Sequence, residues 1–216
     1  VYKRQASSPE IRHLIGTYQE MVGEGLNVSL VMAGLPGAVS TTLNDKVLTF
    51  LNRARKVSLP PLEQGEVDAF FKRSFDSLGI AIESGLRRSA SAYTAGSPYL
   101  LQLVGHYTCL YAEDGKVSEE SLAEALRTSG DDFQSDVCAT TLAALSERDV
   151  DFLEAMAELG EPTSVAAVAE AMGATADYAQ KYRRRLIDGG VIKSAGRGKV
   201  AFDVPFLAEH LRRRNE

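Results

Sequence analysis

The chain has 216 residues and a mass of 23.4 kDa, room for one large domain or two small ones. Its 44% apolar and 25% charged residues exclude a disordered or fibrous chain, and its net charge of −5 argues against a generally basic nucleic-acid coat protein. The longest apolar run, residues 28–35, is too short to span a bilayer, and Cys109 and Cys138 lack the CxxC or Cys/His company of a zinc site or disulfide framework, which makes a reducing cytoplasm the expected compartment.

Residues 8–22 place Ile11, Leu14, Ile15, Tyr18, Met21 and Val22 at helical spacing behind Ser8 and Pro9, and Gly23 and Gly25 close that helix. Residues 28–33 are almost continuously apolar, the pattern of a strand buried on both faces of a parallel sheet. The turn Gly34-Leu35-Pro36-Gly37 breaks it. A helix over 42–53 and a short strand over 54–59 follow, and Pro60-Pro61 mark a boundary.

Four helices are predicted next. Residues 66–78 carry Val67, Phe70, Phe71 and Phe75 on one face, and residues 81–94 form the second helix. Residues 97–112 carry Leu100, Leu101, Leu103, Val104, Tyr107 and Tyr111. Residues 118–127 open on a Ser118 cap, with Ser121 where a full capping box wants Glu or Gln, so half of that motif is expected. A connecting helix over 131–144 leads to the last third.

There, Ser146 caps residues 147–159, Thr163 or Ser164 caps a short helix ended by Gly173, and Thr175 caps residues 176–188. Residues 191–193 and 200–202 flank Ala195-Gly196-Arg197-Gly198 as a two-stranded ribbon. Three helices and a ribbon in this order read as a winged helix-turn-helix. Ala179, Tyr182 and Leu186 mark the core side of its third helix. Its outer face carries Asp177, Gln180, Lys181 and Arg184, flanked by Arg183 and Arg185, and the ribbon turn adds Arg197 and Lys199.

Charge is polarised to match. Residues 175–216 hold 10 basic and 5 acidic residues, whereas 63–145 hold 6 and 13 and 146–174 hold 1 and 7. The candidate DNA contacts are therefore Gln180, Lys181, Arg183, Arg184, Arg197 and Lys199. Two facts pull the other way. Successive helical residues rotate by about 100°, so the three arginines cannot all enter one groove, and Asp177 and Asp188 weaken an anion site. The same module also serves as a protein-interaction domain.

Asn27-Val-Ser-Leu-Val-Met-Ala-Gly-Leu-Pro36, Phe50-Leu-Asn-Arg-Ala-Arg-Lys-Val-Ser-Leu59, Pro61-Leu62 and Gly96-Ser-Pro-Tyr-Leu-Leu-Gln102, in that order, resemble the back half of an AAA+ ATPase. The similar group is the bacterial and archaeal P-loop ATPases related to origin-recognition and STAND-type proteins. The resemblance covers essentially the whole chain, from the helix before the fourth core strand through the helical lid to a C-terminal winged helix.

It implies a nucleotide machine whose nucleotide-binding parts are missing here. No GxxxxGK[ST] loop occurs, and the Gly34 to Gly37 turn has no lysine. No apolar strand ends in Asp-Glu. Ala33-Gly34 stand where the family often has a polar sensor. The lid motif Gly96, Ser97, Pro98 continues with Tyr99 where the family usually has a sensor arginine, which removes the guanidinium that would touch a γ-phosphate. Arg53 or Arg55 is the candidate arginine finger, or else part of a solvated helix end.

The expected architecture is mainly α: a truncated α/β remnant over 1–62, an AAA+ helical lid bundle over 63–128, a connector over 129–145 and a C-terminal winged helix-turn-helix domain over 146–216. The chain is expected to be a fragment, or else a family member that has lost its nucleotide site, with no cofactor or metal of its own and no ATPase activity, ATP and Mg belonging to the intact parent. The expected function is to couple the nucleotide state of an absent P-loop core to DNA or partner binding. The alternatives are a stand-alone winged-helix transcription regulator and a protein-interaction adaptor that binds no DNA. Duplex DNA, the missing core, other subunits or a second copy of the chain are the candidate partners, with no membrane. The 28–33 strand is expected to be covered by a neighbouring chain or a rearranged segment, because its usual sheet neighbours are missing.

Overall fold

The structure, a computed structural model, describes residues 9–33, 49–55, 57 and 59–215. The described residues are mainly helical, with one small three-stranded sheet. They divide into two compact units. One comprises 9–57 and 146–204, the other 59–145 and 205–215. Among the described residues no helix is long and apolar enough to cross a membrane.

The second unit is a helical bundle. Its helices are α2 (Gln64–Leu78), α3 (Ser84–Tyr93), α4 (Pro98–Leu110), α5 (Glu119–Phe133), α6 (Ala139–Ala143) and the closing α10 (Leu207–Asn215). Val67, Phe71 and Phe75, one helical turn apart, are buried on α2, and Leu100, Leu101 and Val104 are buried on α4. Phe70, expected on the same face of α2, is instead exposed, because it lies a quarter turn off the Val67–Phe71–Phe75 line. A bidentate pair between Arg87 and Asp68 (2.9 and 3.1 Å) ties α3 to α2 and holds the Asp68 carboxyl below the usual range.

Two connections meet at a short parallel bridge, in which Ala81 N–H donates to Gly115 O (2.7 Å) and Val117 N–H to Ala81 O (2.9 Å). At the start of α5 the capping box is complete. Ser121 Oγ accepts from Ser118 N–H (3.0 Å) while Ser118 Oγ accepts from Ser121 N–H (3.1 Å), so a serine closes what was expected to remain half a motif.

The expected break between lid and connector is absent as well. α5 runs into a π turn over Gln134–Cys138 and on into α6. The closing helix, expected with the last domain, belongs to this unit. Phe206 packs on Tyr93 (centroids 5.1 Å) and edge-on against Phe133 (6.0 Å), and Leu207, Ala208 and Leu211 are buried behind it.

In the first unit, α1 (Pro9–Gly23) buries Ile15 in a small cluster with Leu51, edged by Leu30 and Phe50. Residues 28–33 form no strand, against expectation, and Val31 is 92% exposed. A parallel-type strand needs partners for its N–H and C=O groups, and no described residue of the chain forms a ladder with it. Residues 54, 55, 57 and 59 form no strand either, and Thr49–Arg53 make a single 3-10 turn. The α/β remnant is thus without β structure among the described residues. The Gly34 to Gly37 turn and the first part of the helix expected over 42–53 lie outside them.

The rest of that unit follows the order α7 (Glu147–Leu159), β1 (Thr163–Ser164), α8 (Val165–Ala171), α9 (Ala176–Asp188), β2 (Ile192–Ser194) and β3 (Lys199–Phe202). The strands are antiparallel in the order β1-β3-β2, with Thr163 opposite Val200 and Ile192 opposite Phe202. The two-stranded ribbon expected from sequence therefore gains a third strand. β1 is only two residues long, too short for an alternating pattern to reveal. The sheet and the three helices enclose Phe152, Leu153, Met156, Val168, Leu186, Ile192 and Val200.

Candidate nucleic-acid interface

α9 owes its position to its ends and one face. Thr175 Oγ1 accepts from Tyr178 N–H (3.3 Å) at the N-terminus, and Ala179, Tyr182 and Leu186 are buried. The α8–α9 turn is kept tight by Gly173 at φ 59 and by Ala174 N–H donating to Ala169 O (2.8 Å). This leaves Gln180, Lys181 and Arg184 exposed on the side away from the core, together with Asp177 and Asp188. The β2–β3 turn is closed by Ala195 N–H to Lys199 O (3.0 Å), with Gly196 and Gly198 both at positive φ, and it exposes Arg197 and Lys199. Among the described residues, Lys181, Arg184, Arg197 and Lys199 make no ion pair, so their charge is uncompensated by a direct partner.

The other basic residues of the region are placed differently. Arg183 is half-buried, with its Nε buried and without a hydrogen-bond partner, so it does not stand on the open face with Lys181 and Arg184. Lys193 pairs with Asp203 (3.3 Å). Arg185 turns back to α7, where its Nε donates to Asp149 Oδ1 (2.8 Å) and its Nη2 to Ser146 Oγ (2.9 Å). Asp149 is only 3% exposed, and it also accepts from Ser146 N–H (3.1 Å) and Ser146 Oγ (2.6 Å). The Arg185 guanidinium lies 4.8 Å from the centroid of the Tyr182 ring. Sequence reasoning treated Arg185 only as a flank and passed over Tyr178. The one signal was the i, i+4, i+7 spacing of Tyr178, Tyr182 and Arg185 down one side of the helix.

The candidate nucleotide-responsive residues fall in both units. Arg53 ends the 3-10 turn and is exposed, as is Arg55. Gly96, at φ 75, accepts at its carbonyl from Leu62 N–H (2.9 Å), and Pro98 opens α4 behind the Ser97 cap. Tyr99 donates its hydroxyl to Asp136 Oδ2 (2.6 Å) in the π turn, and that acceptor pushes the phenol pKa up. The position thus serves as a tie between α4 and the π turn. Tyr107 makes a parallel tie to Asp132.

Little else has the makings of chemistry. Among the described residues no group of His, Cys, Asp or Glu could hold a metal ion. Burial pushes the Cys138 thiol up to about 12 and raises that of Cys109, so neither is a ready thiolate. Burial lowers His210.

Residues 135–211 match the model of a domain of unknown function (DUF8462). No curated protein matches the chain. Among solved structures, the chain is similar to the Walker-type ATPase PABY2304 of Pyrococcus abyssi, at 17% identity and a TM-score of 0.70, over 97% of this chain and 60% of that one. The fold is therefore shared with a Walker-type ATPase, and the chain spans about 60% of that protein's length. A slighter likeness is to RuvB of Thermotoga maritima, described as a Holliday junction branch migration motor, at 19% identity and a TM-score of 0.33, over 71% of this chain and 50% of that one.

Proposed function

We propose that this chain is the helical lid and winged-helix portion of an AAA+ ATPase, and that it couples the nucleotide state of a P-loop core to duplex DNA through α9 and the β2–β3 wing. The observation that carries the reading is the likeness to a Walker-type ATPase along 97% of the chain. The element order α7-β1-α8-α9-β2-β3 supports a winged helix, and the bundle of α2 to α6 supports a lid. The residues of this chain do not fit a nucleotide. No GxxxxGK[ST] loop occurs, and the lid position of the sensor arginine holds Tyr99, whose hydroxyl is already engaged by Asp136. ATP and Mg belong to the core, which supplies phosphoryl transfer, and this chain contributes the lid motion and the DNA face.

Fluorescence anisotropy with a labelled mixed-sequence duplex tests the DNA half. The chain should bind at low salt with an affinity in the range of about 1–100 μM, typical of non-specific contacts, and weaken steeply as salt rises because neutralised phosphates release counterions. The combined change Lys181→Ala, Arg184→Ala and Arg197→Ala should remove binding while leaving the fold intact, since all three side chains are exposed. A wild type that fails to bind, or a triple variant that binds equally well, overturns the DNA reading in favour of the protein-interaction adaptor. The nucleotide half is tested by isothermal titration with MgATP. No heat of tight binding is expected, and low-micromolar binding would refute the assignment of the nucleotide to the core.

A further inference from the structure

The three arginines of the run Arg183-Arg184-Arg185 take different surroundings in the structure. Arg185 has two of its three nitrogens engaged, Nε by Asp149 and Nη2 by Ser146, and its charge is matched by a buried carboxylate. Its Cζ lies over the Tyr182 ring. Tyr182, 7% exposed, thus contacts both Arg185 and Tyr178, with the two tyrosine ring centroids 4.7 Å apart and the rings tilted by 56°.

Tyr182 donates its hydroxyl to Tyr178 Oη (2.8 Å), so the proton of Tyr178 is not used in that bond. Tyr178 is 38% exposed in the first turn of α9, on the helix that also carries Lys181 and Arg184. A hydroxyl that accepts one hydrogen bond becomes a better donor in the next, so Tyr178 is a fixed, polarised donor at the edge of the cationic face. Phosphate oxygens are the commonest acceptors at a protein–DNA interface, and tyrosine hydroxyls are among their donors.

We propose that the Tyr178 hydroxyl donates to one backbone phosphate of the bound duplex, and that Arg185 is a positioning residue which places Tyr178 through Tyr182 without itself neutralising a phosphate. The inference rests on the DNA reading above and assigns the chain an uncharged contact that orients α9 on the strand.

The test is the same anisotropy assay on the full chain, run over a series of salt concentrations. Tyr178→Phe should lower affinity about tenfold or more, the worth of one hydrogen bond to a charged acceptor, by the same factor at every salt concentration, because a neutral donor displaces no counterion. Arg185→Gln should also weaken binding yet keep the wild-type salt slope, whereas Lys181→Ala should flatten the slope by about 0.9. Because Tyr178→Phe leaves the Tyr182 hydroxyl without its acceptor, the double variant Tyr178→Phe with Tyr182→Phe, which leaves neither hydroxyl unpaired, should show the same loss with an unchanged melting temperature.

Wild-type affinity in both tyrosine variants overturns the Tyr178 contact. A salt slope lowered by about 0.9 in Arg185→Gln makes Arg185 a phosphate ligand and overturns its positioning role. If the wild type binds and the Lys181, Arg184 and Arg197 triple variant does not, these results judge the present inference alone. If the wild type itself does not bind, the DNA reading fails with it.

Discussion

Phe71→Ala is expected to destabilise the helical unit by about 3–5 kcal/mol, the usual cost of emptying a buried phenylalanine site that cannot collapse. Phe71 is 1% exposed, stacks on Phe75 with ring centroids 5.4 Å apart and touches Phe70 at 6.2 Å. It is also the side chain that Gly105 of α4 accommodates, since a Cβ at Gly105 would sit 3.3 Å from the Phe71 ring. The ring therefore fills the seam between α2 and α4, and rigid helices on either side leave the void open. Urea unfolding followed by far-ultraviolet circular dichroism gives the change through the transition midpoint. A loss under about 1 kcal/mol would mean that α2 does not pack on α4 through this ring.

Gly96→Ala is expected to cost about 2–4 kcal/mol, combining a left-handed backbone penalty with overpacking against atoms that cannot move aside. Gly96 has φ 75, and a Cβ there would lie 2.6 Å from Leu62 O and 2.8 Å from Pro61 Cβ. Leu62 O is backbone, and the Leu62 N–H to Gly96 O bond (2.9 Å) fixes the same two strands of chain together. Relief would require breaking that bond and displacing the entry to α2. Thermal unfolding checks the size of the effect, and hydrogen exchange at the Leu62 amide checks its place. Wild-type protection of Leu62 in the variant would contradict the close approach. The result bears on function as well, because Gly96 begins the segment that carries Pro98 and Tyr99, and a displaced α4 start would release the Tyr99–Asp136 tie.

The second effect places the segment 96–99 within the packing of the bundle. Gly96, Ser97 and Pro98 have local structural duties: a close approach, an N-cap and a first-turn proline. Tyr99 gives the next position a tertiary partner in the π turn. Each residue is accounted for by the bundle itself, whatever a core domain adds.

Much of the fold was legible because its signals are local. Ser118, Ser146 and Thr175, and Thr163 or Ser164, marked helix starts, and the structure places the hydroxyls of Ser118, Ser146, Ser164 and Thr175 on the N–H groups expected of caps. The bounds of α7 and α9 were readable to the residue, since a cap, a 3.6-residue apolar period and a closing glycine coincide at each. The outer face of α9 followed from the same period. The mainly α class was therefore determined by these local signals, whereas the likeness to a Walker-type ATPase came from the order of the resembling segments.

What sequence did not determine depends on partners far along the chain. Residues 28–33 have the composition of a buried strand, but a strand exists only where another strand takes its hydrogen bonds, and the described residues supply none. β1 is a strand because Val200 and Lys199 lie opposite Thr163 and Ser164, a pairing that no local pattern encodes. Arg185 is a flanking residue by sequence, and a carboxylate 36 residues away engages its half-exposed guanidinium. Tyr178 becomes a poised donor only because Tyr182, held by Arg185, fills its acceptor side. Local propensity and periodicity set where helices begin, end and turn their faces. Only the tertiary contacts decided which charges stay free and which strands find a partner, because both depend on neighbours that folding brings together.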